Sequence, residues 1–182
     1  NYQQVFYDPE KVRPRIAQAI LAVINHMVGS YIDPGHTIIK YADYPSTVNS
    51  IRKWLLKLLK YPALSCDIEA FSLKHFSAGI GTITFCWNQE DGIAFPVDFL
   101  GEEERAEVRE MLREFFEAYE GTMLYHNISY DVYVLIYQLF MEHILDQEGL
   151  LYGLEVMLRN WHDTKLITYF ATNSCSGNKL GL

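Results

Sequence analysis

The order in which hydrophobic periodicity changes along the chain is the strongest constraint on its fold. Residues 63–69 form an apolar or small run that ends in charge, 79–87 alternates with Ile83, Phe85 and Trp87 on one face, and 93–97 is a third extended segment. A hairpin turn is expected at 88–92. The period then switches: Val108, Met111, Leu112, Phe115, Phe116 and Tyr119 mark an amphipathic helix over 102–120, which Gly121 stops. A short apolar strand over 122–126 and a helix from about Ser129, with Val132, Leu135, Ile136, Leu139 and Phe140 at helical spacing, continue the series. Strands joined by tight turns pair antiparallel, whereas a strand reached across a helix pairs parallel. The expected fold class is therefore α/β, with a mixed five-stranded sheet and flanking helices.

That succession is ribonuclease H-like topology. Ahead of it, Asp8-Pro9 starts a helix whose stripe is Val12, Ile16, Ile20, Val23, Ile24 and Met27, and Gly29 ends it. A loop at Asp33-Pro34-Gly35 follows. Ser46 is expected to cap a second helix with Val48, Ile51, Leu55, Leu58 and Leu59 inside and Arg52, Lys53, Lys57 and Lys60 on a solvated face. Residues 1–61 are thus expected to form a small N-terminal helical element, and 62–182 the ribonuclease H-like domain.

Composition narrows the functional classes. With 49% hydrophobic and 21% charged residues the chain is globular, and its net charge of -8 argues against holding duplex nucleic acid by a broad basic surface. Cys66, Cys86 and Cys175 are an odd number without metal-type spacing, so neither a disulfide framework nor a zinc site is expected. No long apolar run or secretory signature is present, and a cytoplasmic, non-membrane protein is expected.

The chemistry concentrates in carboxylates. Asp67-Ile68-Glu69 closes the first strand, so two acids point to one face while Ile68 points to the other. Like charges that close repel, and a shared divalent cation resolves the repulsion. The plain alternative is an ordinary solvated strand end. Asp131 sits in the first turn of the helix after the parallel strand, where it favours the helix dipole and also projects toward the mouth that holds Asp67 and Glu69. Asn127 or Ser129 is expected to cap that helix, and Asp163 to cap the next one with Thr164.

Asp67-Ile68-Glu69-Ala70-Phe71-Ser72-Leu73, followed by Ala78-Gly79-Ile80-Gly81, resembles the first exonuclease motif of the 3′-5′ proofreading domains of family A DNA polymerases. Asn127-Ile128-Ser129-Tyr130-Asp131 resembles the second motif, and Asp163-Thr164-Lys165-Leu166 the helix start that follows it. The resemblance covers about residues 62–182, and its wording is most similar to polymerases of T-five-like bacteriophages. It implies two-metal hydrolysis of the terminal phosphodiester at the 3′ end of single-stranded DNA, with ions on the order of 3.5–4 Å apart. Asp67, Glu69 and Asp131 would hold two Mg²⁺ ions, with Mn²⁺ as a substitute. Leu73 would wedge against the last base and Asn127 contact the terminal nucleotide, the alternatives being a core leucine and a pure helix cap. Phe71 and Phe76 could stack on bases, although burial is the simpler expectation.

Two departures stand out. No tyrosine after Asp131 has aspartate four residues on, so the fourth carboxylate is expected beyond Leu182, in downstream exonuclease and polymerase segments. The connection from Asp131 to Asp163 is longer than the family pattern and reads as a further helix around 149–159. A non-catalytic ribonuclease H-like module that binds nucleic acid or protein is the alternative reading.

Overall fold

The computed structural model describes residues 6–31 and 38–172; the expected loop at 33–35 and everything from Asn173 onward, including Cys175, lie outside them. Two compact units are present, residues 1–39 and 40–182. In the first, α1 spans Pro9–Met27, with the Asp8 side chain accepting from the Lys11 amide and proline at the helix start. Gly29 just beyond it adopts φ 72°, as its reading as a stop anticipated.

The second unit is built on one six-stranded sheet: β1 (Tyr41–Asp43), β2 (Ala63–Glu69), β3 (Thr82–Cys86), β4 (Asp91–Pro96), β5 (Thr122–Tyr125) and β6 (Trp161–Asp163), in the order β1-β4-β3-β2-β5-β6. Strands β2, β3 and β4 are antiparallel neighbours, β5 and β6 extend the sheet parallel to β2, and β1 lies parallel to β4. This is the ribonuclease H-like mixed sheet, with β2 in its interior. It has one strand more than the five expected, and two of the six, β1 and β6, fall on residues not expected as strand. A three-residue strand is too short to show a period.

The helices of this unit are α2 (Val48–Leu58), α3 (Glu102–Ala118), α4 (Ile128–Leu139), α5 (Gln147–Met157) and α6 (Thr164–Thr172). Residues 40–61 are not an appendage. Ile51, Trp54, Leu55 and Leu58 of α2 are buried, and Trp87 stacks on both Trp54 (5.4 Å between ring centroids) and Tyr61 (5.2 Å). The boundary therefore falls after Ile39 rather than after residue 61. The cap of α2 is Thr47, not Ser46: Thr47 and Ser50 form a reciprocal capping box. Of its basic face, Arg52 pairs with Glu107, and Lys57 lies 4.0 Å from the Trp54 ring centre.

Alternation on β2 sorts the two faces. Leu64, Cys66 and Ile68 are buried, and registered neighbours Phe85 and Ile83 continue that face into β3, then Ile93 and Phe95 into β4. Phe115 and Phe116 of α3 pack on Phe85, with centroids 5.2 and 6.2 Å away. Asp67 and Glu69 point the other way and are exposed. The extra connection is α5, whose Asp146 accepts from the Gly149 amide as N-cap and from the Glu142 amide.

Candidate active site

Three acids lie toward one end of the central strands. Asp67 and Glu69 close β2, and α4 opens two residues after β5, which lies beside β2, so Asp131 in the first turn of α4 arrives at the same mouth. Asp131 is only 6% exposed. Burial, followed by the negative charges of Asp67, Glu69 and Asp163, raises its carboxyl from 3.8 to about 7. Burial also pushes the Cys66 thiol and the Tyr125 hydroxyl well above their usual values, and Asp131 adds to both. Asp131 thus lies among buried groups and under the charge of neighbouring acids.

The start of α4 departs from the sequence expectation. Asn127 has φ 63° and ψ 52° and makes no side-chain cap; its Oδ1 accepts from Lys165 Nζ at 2.8 Å instead. The cap is supplied by Asp163, a residue expected to serve only its own helix. Asp163 Oδ1 accepts from the amides of Asn127 (3.0 Å) and Lys165 (2.8 Å), and Oδ2 from the Ile128 amide (3.0 Å). One carboxylate, 4% exposed, thus terminates α4 and α6 together. Burial alone would raise its pKa, but the amides of Asn127, Ile128, Lys165 and Leu166 outweigh it and hold the group below the usual carboxylate value. The signal was present in the sequence only as an aspartate before a helix; its reach to a helix 35 residues away is a tertiary fact.

Leu73 is not a core leucine: it is 91% exposed, on the connection after β2. That connection is tied down by Tyr130, whose hydroxyl donates to the Ser72 carbonyl at 2.6 Å. Phe71 and Phe76, for which burial was expected, are both substantially exposed on the connection that leaves the sheet after Glu69.

Among the described residues no three His, Cys, Asp or Glu side chains close around a single point as a metal cage. The donors nevertheless suit hard divalent cations in kind, being carboxylate oxygens.

No family model matches the sequence, and no curated protein does. Solved structures with similar folds include the Nibbler EXO domain of Aedes aegypti (12% identity, TM-score 0.47, 79% of this chain and 60% of that one). Two others are Trypanosoma brucei RNase D in complex with RNA U12 (19%, TM-score 0.40, 52% and 32%) and Escherichia coli RNase D, an exoribonuclease involved in structured RNA processing (14%, TM-score 0.37, 52% and 24%). The chain matches less than a third of the length of either RNase D. Function has to be read from the side chains themselves. No helix among the described residues is long and apolar enough to cross a membrane.

Proposed function

We propose that this chain carries three of the metal-binding acids of a 3′-5′ exonuclease, acting on the 3′ end of single-stranded DNA as the proofreading region of a phage DNA polymerase. What supports the reading is that α4, carrying Asp131, follows the strand paired with β2, whose end carries Asp67 and Glu69, and that burial and then the charges of these acids raise the Asp131 carboxyl. Asp67, Glu69 and Asp131 would hold divalent ions, Mg²⁺ or Mn²⁺, which when bound activate water and offset charge on the phosphate under attack. Asp163 fixes the start of α4 and thereby the position of Asp131. Leu73, 91% exposed on the connection after β2, would press on a terminal base, and Asn127, at the head of α4, would meet the terminal nucleotide.

Calorimetric titration with Mn²⁺ is the direct test. Wild type binds the ion, Asp67→Ala and Asp131→Ala do not, and a 5′-labelled oligonucleotide shortens from its 3′ end only when the ion is present. Absence of any Mn²⁺ binding by the wild-type chain rejects the reading. The absence of a closed three-acid cage among the described residues favours one alternative, a non-catalytic nucleic-acid-binding module. It predicts metal-independent oligonucleotide binding with no shortening, and competition between DNA and RNA strands decides the substrate.

A further inference from the structure

Beside the acids lies an apolar feature that the proposed hydrolysis does not use. Phe71 and Phe99 touch edge to face, their ring centres 5.0 Å apart and their planes at 79°. They are 57% and 69% exposed. Single exposed phenylalanines need no explanation, but two in contact make a patch that does.

The pair is held in place by structure rather than left loose. Asp98, next to Phe99, is almost buried; its two carboxylate oxygens take a fork from Arg109 (2.9 and 2.6 Å), and Oδ2 also accepts from the Ile80 amide at 2.8 Å. On the other side, Phe71 is bonded through its amide to the Ala78 carbonyl at 2.8 Å. Gly79 has φ 62°, and a Cβ there would come within 3.0 Å of the Phe71 ring and 2.8 Å of the Asp98 carboxylate. Gly81 locates the pair relative to the acids: a Cβ on it would sit 2.8 Å from the Glu69 carbonyl oxygen and 3.4 Å from each of the two rings. The Glu69 backbone carbonyl, at the end of the strand that carries the acids, and the Phe71 and Phe99 rings therefore surround one point.

We propose that Phe71 and Phe99 form a stacking ledge for the unpaired nucleobases of the strand whose end reaches the carboxylates. The inference rests on the nuclease reading above and extends it, because it gives a rigid apolar surface to the part of the substrate that the acids cannot hold. An acidic site offers nothing attractive to a strand except through its cations, so affinity has to come from elsewhere. Aromatic faces supply it without regard to sequence, since every base has a π-face. Edge-to-face packing suits this use, because it immobilises both rings while leaving a face open.

The test is fluorescence anisotropy of a labelled oligothymidylate with Ca²⁺ present, using the whole chain, Phe99→Ala and Phe99→Trp, on a normal strand and on one abasic at its 3′-terminal positions. Phe99→Ala should weaken binding of the normal strand about tenfold, and Phe99→Trp should restore it. Wild type should lose a similar factor on the abasic strand, where Phe99→Ala loses nothing further. Both rings are solvent-exposed, and unchanged thermal unfolding of the variants verifies that they fold. Equal affinity of wild type and Phe99→Ala for the normal strand overturns the ledge while leaving the nuclease reading intact, as does a loss that persists undiminished on the abasic strand. A change in self-association with unaltered strand binding also overturns it, in favour of a protein contact. Failure of the wild-type chain to bind any strand overturns both.

Discussion

Replacing Asp131 by asparagine should make the metal-free protein more stable at neutral pH while abolishing its metal binding. The magnitude follows from the carboxyl's rise from 3.8 to about 7, driven first by burial and then by Asp67, Glu69 and Asp163. A rise of roughly three pH units corresponds to about 4 kcal/mol at 1.36 kcal/mol per unit, an upper bound because asparagine keeps the burial cost of a polar group. The sign is set by which state holds the proton. Between 3.8 and about 7 the folded chain keeps the Asp131 proton and the unfolded chain has lost it. Stability from this group is thus complete below the lower value, falls as pH rises through the window, and is flat above it. Urea unfolding with a chelator present, at several pH values between about 4 and 8, measures this directly. Wild type should lose stability across the window relative to Asp131→Asn, with the curves converging at the acid end. Added Mn²⁺ should narrow the gap and then close it, since a ligand contributes about 2.7 kcal/mol at a hundred times its dissociation constant, and about 4.1 at a thousand times, to the protein that binds it. A variant that is less stable than wild type at neutral pH without metal, or one that tracks its pH dependence, would refute the assignment of a strained, charge-crowded acid.

Asp163→Asn should act at a distance from the ions: an amide nitrogen would face the Ile128 N–H, so α4 loses an acceptor, with about 1.5–3 kcal/mol of stability and a 10–100-fold loss of Mn²⁺ affinity, read by urea unfolding and calorimetry. Arg109→Ala leaves the nearly buried Asp98 carboxylate without its fork, and a loss of about 3–5 kcal/mol is expected in the same unfolding assay.

The parts of the fold that were legible in the sequence are those with a long, one-sided period. The bounds of β2 at Ala63–Glu69 and the helical stripe of α3 follow from alternation and 3.6 spacing, since each buries one face against the same core. What could not be read is decided between elements. The three residues of β1 have no period, and α2 shows the same amphipathic pattern whether it covers a core or rides on an appendage. At the site, Asp67, Glu69 and Asp131 could be singled out because strand parity and a helix's first turn place side chains by rule. The double cap made by Asp163 and the exposure of Phe71 and Phe99 depend on which chain segments happen to arrive nearby, and no local pattern encodes that.

The tryptophans give the molecule built-in optical reporters. Trp54 and Trp87 lie nearly parallel at 5.4 Å, close enough for their transitions to couple, so the near-ultraviolet circular dichroism of this pair should vanish when α2 lifts from the edge formed by β1 and β4. Trp161, the third, is partly exposed on β6, two residues from Asp163, and its emission should follow the opposite edge. Loosening of the two sheet margins can therefore be told apart without attaching any dye.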